Sequence, residues 1–312
     1  VVSVFIRYMY TLYCSKTFAE CKYQIILDKP LLKEMGSFAG WNMLGQGVHI
    51  INQHGINLLL NLYFGVVVNA ARGVAFQVNN AVQQFITNFM TAMTPQITKS
   101  YAAGDKEYAF RLTCLGSKFS FFLFYLFALP IMIEAEELLS LWLSSPPEHT
   151  ITYMRWIILT SLATVIANTM FTLQMAHGNI KRYQVITAFV AGLAFPISWF
   201  GYKMGAPSEW AFIVLFAVSF IQIFTRFFIV SSATGFPFKD YIIDVVLRAF
   251  IVAVLAATTP MAISFYMDES LTRFLIIIPV SVISCIIFIY LLGINKNEKL
   301  VLFSMIKKII KR

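Results

Sequence analysis

Amide and hydroxyl side chains recur at helical spacing within residues 68–105, a segment long enough to cross a bilayer as one helix. At 3.6 residues per turn, one group of them shares a face: Gln77, Asn80, Gln84, Asn88 and Thr91. An unpaired polar group in hydrocarbon is costly, so this face cannot contact lipid. It must contact other helices or water, and we interpret it as one wall of a polar pathway through a membrane protein.

A single positive charge stands near the start of this helix. Arg72 carries a guanidinium group, which pairs with phosphate oxygens through two parallel hydrogen bonds. We therefore interpret Arg72 as the basic residue of the pathway. The alternative is a loop charge that binds nothing.

A second polar face precedes the first along the chain. It consists of amides and one histidine at steps of three and four: Asn42, Gln46, His49, Gln53 and Asn57. His49 lies about 16 Å into its helix, near the middle of a bilayer. A histidine at that depth can relay a proton or pair with an anion, and a neutral imidazole bonded to a neighbouring helix is the alternative. Two successive polar faces favour a shared hydrated cavity over simple bonding between helices.

Two later segments carry isolated basic residues. Gln222 and Arg226 share a face of one apolar segment, where Arg226 would meet a diphosphate in transit or reach out to lipid headgroups. Arg155 begins another segment that carries Asn168 and Thr172 more deeply. For Arg155 the sequence favours anchoring at the membrane interface.

The composition sets the class of protein. The chain is 59% hydrophobic and 12% charged, with a mean hydropathy of +0.73, whereas soluble domains carry roughly a quarter charged residues. We therefore predict an all-α polytopic membrane protein. The net charge of +9 does not point to nucleic acid, because the basic residues lie between apolar segments. The spacing of the four cysteines predicts neither a metal site nor a disulfide framework.

The apolar segments predict eight spans and several flanking pieces. The spans are 38–62, 69–100, 108–133, 151–175, 183–202, 209–230, 241–266 and 271–292. We expect residues 1–14 to be the end of an earlier transmembrane helix and residues 15–37 to be a cytoplasmic connector of mixed charge, in which Leu31–Met35 could begin a short interfacial helix. Residues 294–312 form a basic amphipathic pattern, which suits a helix on an anionic leaflet.

Lysine and arginine also predict the orientation. Of the 24 such residues, those on the side opposite the connector and the tail are Arg72, Arg155, Lys203 and Arg273. Because cytoplasmic loops are enriched in these residues, the connector and the C-terminus are expected in the cytoplasm. The acidic loop at 134–148 is then expected outside.

The sequence lacks the residues and motifs that ion coupling and common catalytic mechanisms require. No Asp or Glu lies in the middle of a predicted span, so a site for a coupling ion, H⁺ or Na⁺, is not visible. The sequence also has no glycine-rich phosphate loop and no HExxH or GxSxG motif. We therefore predict no enzymatic activity and no bound cofactor.

Two consecutive stretches resemble a known family. FAGWNMLGQGVHIINQHGINLLLNLYFG, followed by VVNAARGVAFQVNNAVQQFITNFMTAMTPQITKSYAAGD, is similar to the bacterial polysaccharide flippases of the O-antigen type. These belong to the multidrug/oligosaccharidyl-lipid/polysaccharide exporter superfamily, with a MATE-like fold of two six-helix lobes around a cavity, often with two added C-terminal helices. The resemblance implies that residues 38–232 are the C-terminal lobe and 233–293 the added helices. Most of the N-terminal lobe would then be absent, and Val1 would be an interior position of a longer protein.

The resemblance implies a function as well. Such flippases move an undecaprenyl-diphosphate-linked oligosaccharide across the bacterial inner membrane, for surface polysaccharide and lipopolysaccharide, by alternating access. Basic residues would neutralise the diphosphate and amides would bond the sugars. The expected partners are this lipid-linked substrate, membrane lipids and the polysaccharide-assembly machinery, without nucleic acid. In drug-exporting relatives the coupling carboxylate often lies in the N-terminal lobe.

Two alternatives remain at this point. One is a cation-coupled exporter of drugs or other small molecules of the MATE type. The other is a membrane enzyme of polysaccharide assembly, such as a polymerase or ligase, for which a large external loop with Arg and His would be expected. The sequence has no such loop.

Overall fold

A computed structural model describes residues 2–18, 21, 27–295, 298 and 299, which form helices joined by short turns. The first six helices are α1 (Val2–Thr17), α2 (Lys29–Phe64), α3 (Val66–Ala102), α4 (Lys106–Ile133), α5 (Ala135–Trp142) and α6 (Thr150–His177). The next six are α7 (Lys181–Gly192), α8 (Ala194–Lys203), α9 (Trp210–Thr234), α10 (Phe238–Tyr241), α11 (Arg248–Tyr266) and α12 (Leu271–Phe288). A π-helical turn, Ile242–Leu247, precedes α11, and another, Ile289–Gly293, follows α12.

Six segments of the described chain are long and apolar enough to cross a membrane. They are Lys106–Ile133, Thr150–His177, Lys181–Lys203, Trp210–Thr234, Phe238–Tyr266 and Leu271–Gly293. They coincide with the six spans predicted between residues 108 and 292, and they make the chain an all-α, multi-pass membrane protein. The other two predicted spans lie in α2 and α3, which have 36 and 37 residues but are too polar to belong to this group.

The helix α2 begins earlier than the predicted span. It starts at Lys29 because the side chain of Asp28 accepts a hydrogen bond from the backbone N–H of Leu31 at 3.3 Å. Pro30 lies in the first turn, where the missing N–H costs nothing. Residues 29–37 of the predicted connector are therefore helical, and α1 likewise continues to Thr17. Residues 19, 20 and 22–26 of the predicted connector and residues 296, 297 and 300–312 of the predicted basic tail lie outside the described residues.

The chain divides into two compact units, Val1–Gly40 and Trp41–Arg312. In the first unit, α1 contributes no buried residue. The core of the second unit is built around α6, which packs against α3, α4 and α9. Fully buried side chains follow one another on several sides of α6, including Tyr153, Ile158 and Met170. This helix is therefore enclosed by protein over much of its length.

The remaining helices of the second unit pack around this core. The helices α11 and α12 pair with each other and contact α4, while α7 and α8 contact α9. The break between α7 and α8 has a local cause, since Pro196 has no N–H to bond the carbonyl of Gly192. Large apolar side chains point outward from several helices, as Phe189, Phe228 and Phe265 do with exposures of 70%, 67% and 85%. Such a surface suits contact with lipid rather than water.

Candidate functional site

The predicted polar face of α3 is exposed. The opposite face of the helix is buried in the core, through residues such as Ala75, Val82 and Ile86. The exposed face holds all the predicted residues: Gln77, Asn80, Gln84, Asn88 and Thr91. Among the described residues, none of these side chains bonds another helix. The amide of Gln84 donates to Oδ1 of Asn88 at 3.1 Å, and the hydroxyl of Thr91 donates to the carbonyl of Thr87 at 2.8 Å.

A groove of about 470 Å³ opens between α3 and α6. Its polar lining consists of Gln83, Thr87, Thr91, Thr94, Asn168 and Thr172. Apolar side chains from both helices complete the lining: Ile86, Met90, Pro95 and Phe171. No described residue that lines the groove is charged. Hydroxyl and amide groups both donate and accept hydrogen bonds, so the groove suits a neutral polar ligand with many hydroxyl groups.

The sequence identified only part of this groove. Thr91 belongs both to the predicted face and to the groove lining. Gln83 and Thr94 were missed because they lie at the edge of the predicted face, where a helical projection cannot tell which flank a second helix covers. Asn168 and Thr172 were noted on α6, but their approach to α3 depends on tertiary packing. Asn79 was missed as well; it is 6% exposed, and its Oδ1 has no hydrogen-bond partner among the described residues.

Arg72 joins α3 to α2. Its Nη1 donates to Oδ1 of Asn57 and its Nη2 donates to the carbonyl of Gln53, each at 3.0 Å. Its guanidinium also lies 4.5 Å from the ring centre of Phe76, a cation–π contact. Both terminal nitrogens are thus bonded to protein, and an anion would have to displace these bonds or use the remaining donors.

The predicted polar face of α2 divides into two groups. Gln46, His49 and Gln53 have exposed side chains. Asn42 accepts a hydrogen bond from Nε2 of Gln184 on α7 at 3.1 Å, and Asn57 accepts the bond from Arg72. Asn42 and Asn57 therefore follow the interhelical alternative, whereas the other three residues are open to whatever lies beside α2.

Gln222 and Arg226 lie on the side of α9 that faces α7. Nη2 of Arg226 donates to Oε1 of Gln222 at 2.9 Å, and Nε2 of Gln222 donates to the carbonyl of Thr187 at 3.3 Å. Neither residue lines the groove between α3 and α6. Arg155 also lies elsewhere, since its Nε donates to the carbonyl of Met132 at 3.1 Å. The predicted residues therefore form separate clusters on α3, on α2 with α3, and on α9.

Two ion pairs connect α4 to the C-terminal part of the chain. Nζ of Lys118 lies 2.7 Å from both carboxylate oxygens of Glu298, and the Lys118 side chain is 2% exposed. Nε of Arg273 lies 3.0 Å from Oε1 of Glu134, which is 1% exposed, and Nη2 donates to Oε2 at 3.2 Å. Sequence reasoning missed both pairs and took Glu134 for a loop residue that faces outward.

Comparisons with known proteins give no relative for this chain. No family model matches it, no curated protein matches it, and no solved structure matches it. Among the described residues, no cluster of three or more His, Cys, Asp or Glu side chains could hold a metal ion.

Proposed function

We propose that this chain is part of a transporter that moves an undecaprenyl-diphosphate-linked oligosaccharide across the bacterial inner membrane. The observation that carries the proposal is the polar face of α3, which is exposed and continues into an uncharged groove beside α6. Amides that are exposed within the thickness of the bilayer cannot hydrogen-bond to lipid tails, so a polar molecule must lie against them. Water together with the sugars of a lipid-linked substrate would be such molecules.

The groove has the chemistry that a sugar needs. Each sugar hydroxyl both donates and accepts, and the lining offers amides at Gln83 and Asn168 with threonine hydroxyls between them. The absence of charge among the described lining residues suits the neutral sugars better than the diphosphate. The diphosphate would instead lie near Arg72, the basic residue closest to the start of α3, with its two negative charges partly neutralised there.

The proposal includes an orientation and a cycle. The distribution of lysine and arginine supports a cytoplasmic C-terminus, with the Tyr101 end of α3 on the cytoplasmic side. Transport would proceed by alternating access, with a MATE-like second lobe on the open side of α3. Membrane lipids and the polysaccharide-assembly machinery are the partners expected beside the substrate, and coupling to H⁺ or Na⁺ would depend on that second lobe.

A cation-coupled exporter of small molecules is the second candidate. It is favoured by the apolar part of the groove, because Ile86, Met90 and Phe171 would accept an aromatic ring. The two candidates differ in what the groove must bond. A sugar depends on the hydroxyl and amide groups, whereas an aromatic drug depends on the apolar ones.

A pair of threonines on α3 provides a matched test. Both Thr91 and Thr98 are exposed and donate to the carbonyl four residues earlier, but only Thr91 lines the groove. We expect Thr91→Val and Asn168→Ala to reduce transport of a lipid-linked oligosaccharide in the complete transporter, reconstituted in vesicles. Thr98→Val should leave transport unchanged at equal protein abundance. Equal transport by all these variants would contradict the sugar pathway, and loss of drug export only in Phe171→Ala would favour the second candidate.

A further inference from the structure

Beyond one end of the groove, α3 and α6 are joined by a pair of side chains. The hydroxyl of Tyr101 lies 2.9 Å from Nδ1 of His177, and the two rings meet edge to face with centres 6.0 Å apart. Which of the two groups donates depends on the tautomer of the histidine. At 1.5 Å per residue, this contact lies about 9 Å beyond Pro95, the last lining residue on α3.

The helix α3 is continuous, but it lacks one backbone hydrogen bond at Pro95, at the end of the groove. Pro95 has no N–H, so the carbonyl of Thr91 lacks its helical hydrogen bond at a point where both residues line the groove. The hydroxyls of Thr91 and Thr98 each donate to the carbonyl four residues earlier, at 2.8 and 3.0 Å. Such bonds from threonine to the backbone favour bending of a helix, as does proline. The helix α3 can therefore bend at Pro95, at the end of the groove.

The segment that follows Pro95 has few buried side chains and few side-chain hydrogen bonds to other helices. Between Gln96 and Ala102, Ile97 is the one residue that is fully buried, and Tyr101 is half-buried. Among the described residues, the side chains of Gln96, Lys99 and Ser100 bond nothing. The hydroxyl of Tyr101 thus supplies the side-chain hydrogen bond that ties this segment to α6.

We propose that residues 96–102 are a gate at one end of the groove, that Pro95 is its hinge and that the Tyr101–His177 hydrogen bond is its latch. The gate rests on the proposed function, since it would admit the lipid-linked substrate from the cytoplasmic side. A single hydrogen bond suits this role because its net contribution to stability is small, so it can be broken and remade easily. The bend at Pro95 lets the end of α3 move while the part of α3 packed in the core stays in place.

The test measures access to the groove from the cytoplasmic side. Thr94, a lining residue, is changed to cysteine in a full chain whose four native cysteines are alanine. An impermeant thiol reagent is then applied to inverted membrane vesicles. Tyr101→Phe keeps the ring and removes the hydroxyl, so we expect Thr94→Cys to react about fivefold faster, which corresponds to the loss of one hydrogen bond. Tyr108→Phe is the matched control, because Tyr108 is an exposed tyrosine nearby whose hydroxyl has no partner among the described residues.

The hinge is tested in the same vesicles. Pro95→Ala restores a backbone donor, so adding it to Tyr101→Phe should return the labelling rate towards that of the parent. Equal labelling of the Tyr101→Phe and Tyr108→Phe proteins would overturn the latch. A fast rate that persists after Pro95→Ala would overturn the hinge. Hydrogen exchange of residues 96–102 in the chain with native cysteines gives a second reading, with faster exchange expected in Tyr101→Phe alone.

These outcomes separate the gate from the proposed function. Labelling is measured without substrate, so it reports the gate whatever the transporter carries. If Tyr101→Phe changes labelling as expected but the complete transporter does not move a lipid-linked oligosaccharide, the gate stands and the proposed substrate is wrong. If transport is present and depends on Thr91 but labelling is unchanged, the groove stands and the gate is wrong.

Discussion

The two sides of α4 and α6 are held together by different kinds of contact. We call α3 with the facing surface of α6 the groove side, and α4 with α11 and α12 the braced side. The groove side exposes amides and threonines and ends in the single Tyr101–His177 hydrogen bond. The braced side is fastened by buried charges. One bundle therefore combines a face held by uncharged groups with a face held by buried charges.

The braced side is fixed at three levels along α4. Lys118 pairs with Glu298 near the middle of the helix and Glu134 pairs with Arg273 beyond its end. Between them, the hydroxyl of Tyr125 donates to the carbonyl of Ala253 at 2.6 Å. Buried ion pairs contribute little net stability when formed, but breaking one leaves an uncompensated charge. The pairs therefore act mainly against any sliding of α11 and α12 along α4.

A buried hydroxyl extends this bracing to α6. The hydroxyl of Tyr241, which is fully buried, donates to Oγ of Ser117 at 3.0 Å and lies 2.5 Å from the carbonyl of Ile166. It thereby connects α4 and α6 to the π-helical turn that begins at Ile242. Movement on the groove side would thus occur against a fixed α4–α6 core.

The largest effect is expected from breaking a buried ion pair. Arg273→Met leaves the carboxylate of Glu134 buried without a partner, which should lower the free energy of unfolding by about 3–5 kcal/mol. Thermal unfolding of the purified protein would measure this loss. Exchanging the two charges, as Glu134→Arg with Arg273→Glu, should recover part of it. An unchanged melting temperature in Arg273→Met would mean that the ion pair with Glu134 does not stabilise the braced side.

A smaller effect is expected from one added methyl group, and its sign should differ between the two sides. A β-carbon on Gly293, at the end of the braced side, would lie 2.7 Å from the ring of Phe122, so Gly293→Ala should cost about 1–3 kcal/mol. A β-carbon on Gly73 of α3 meets nothing within 4 Å, so Gly73→Ala should stabilise the helix by about 0.5–1 kcal/mol. Both changes are followed by thermal unfolding. A similar destabilisation by both substitutions would contradict the claim that the two sides differ in packing at these glycines.

Periodicity in the sequence predicted what depends on a single helix. The six apolar spans from residue 108 onward and the polar face of α3 follow from residues that are close along the chain. The start of α2 at Lys29 could have been predicted from the Asp28 cap and Pro30, but the charged residues that follow them favoured a connector. Local patterns also gave no hint of the two π-helical turns.

Pairing across the bundle could not be predicted in the same way. Glu134 and Arg273 are 139 positions apart, and Lys118 and Glu298 are 180 positions apart. Glu134 and Arg273 alone suit helix ends at the membrane surface, whereas Lys118 lies in the middle of α4. Only the packing of α4 against the C-terminal part of the chain brings these residues to their partners. The same is true of Asn57, whose partner Arg72 lies on the next helix and was expected to serve the pathway.

The central claim is that the exposed amides of α3 serve transport and not the stability of the fold. The most direct measurement is transport of a lipid-linked oligosaccharide per folded transporter for Gln84→Leu combined with Asn88→Leu. These side chains bond only each other among the described residues, so we expect an unchanged melting temperature. Transport should fall about tenfold or more, since each lost hydrogen bond to substrate is worth about 1 kcal/mol. Tyr125→Phe is the control from the braced side, because it removes the hydroxyl that bonds the carbonyl of Ala253. We expect it to lower the melting temperature and to leave transport per folded protein unchanged. Full transport by the double variant at normal stability, or a loss of stability that accounts for all of its lost transport, would contradict the claim.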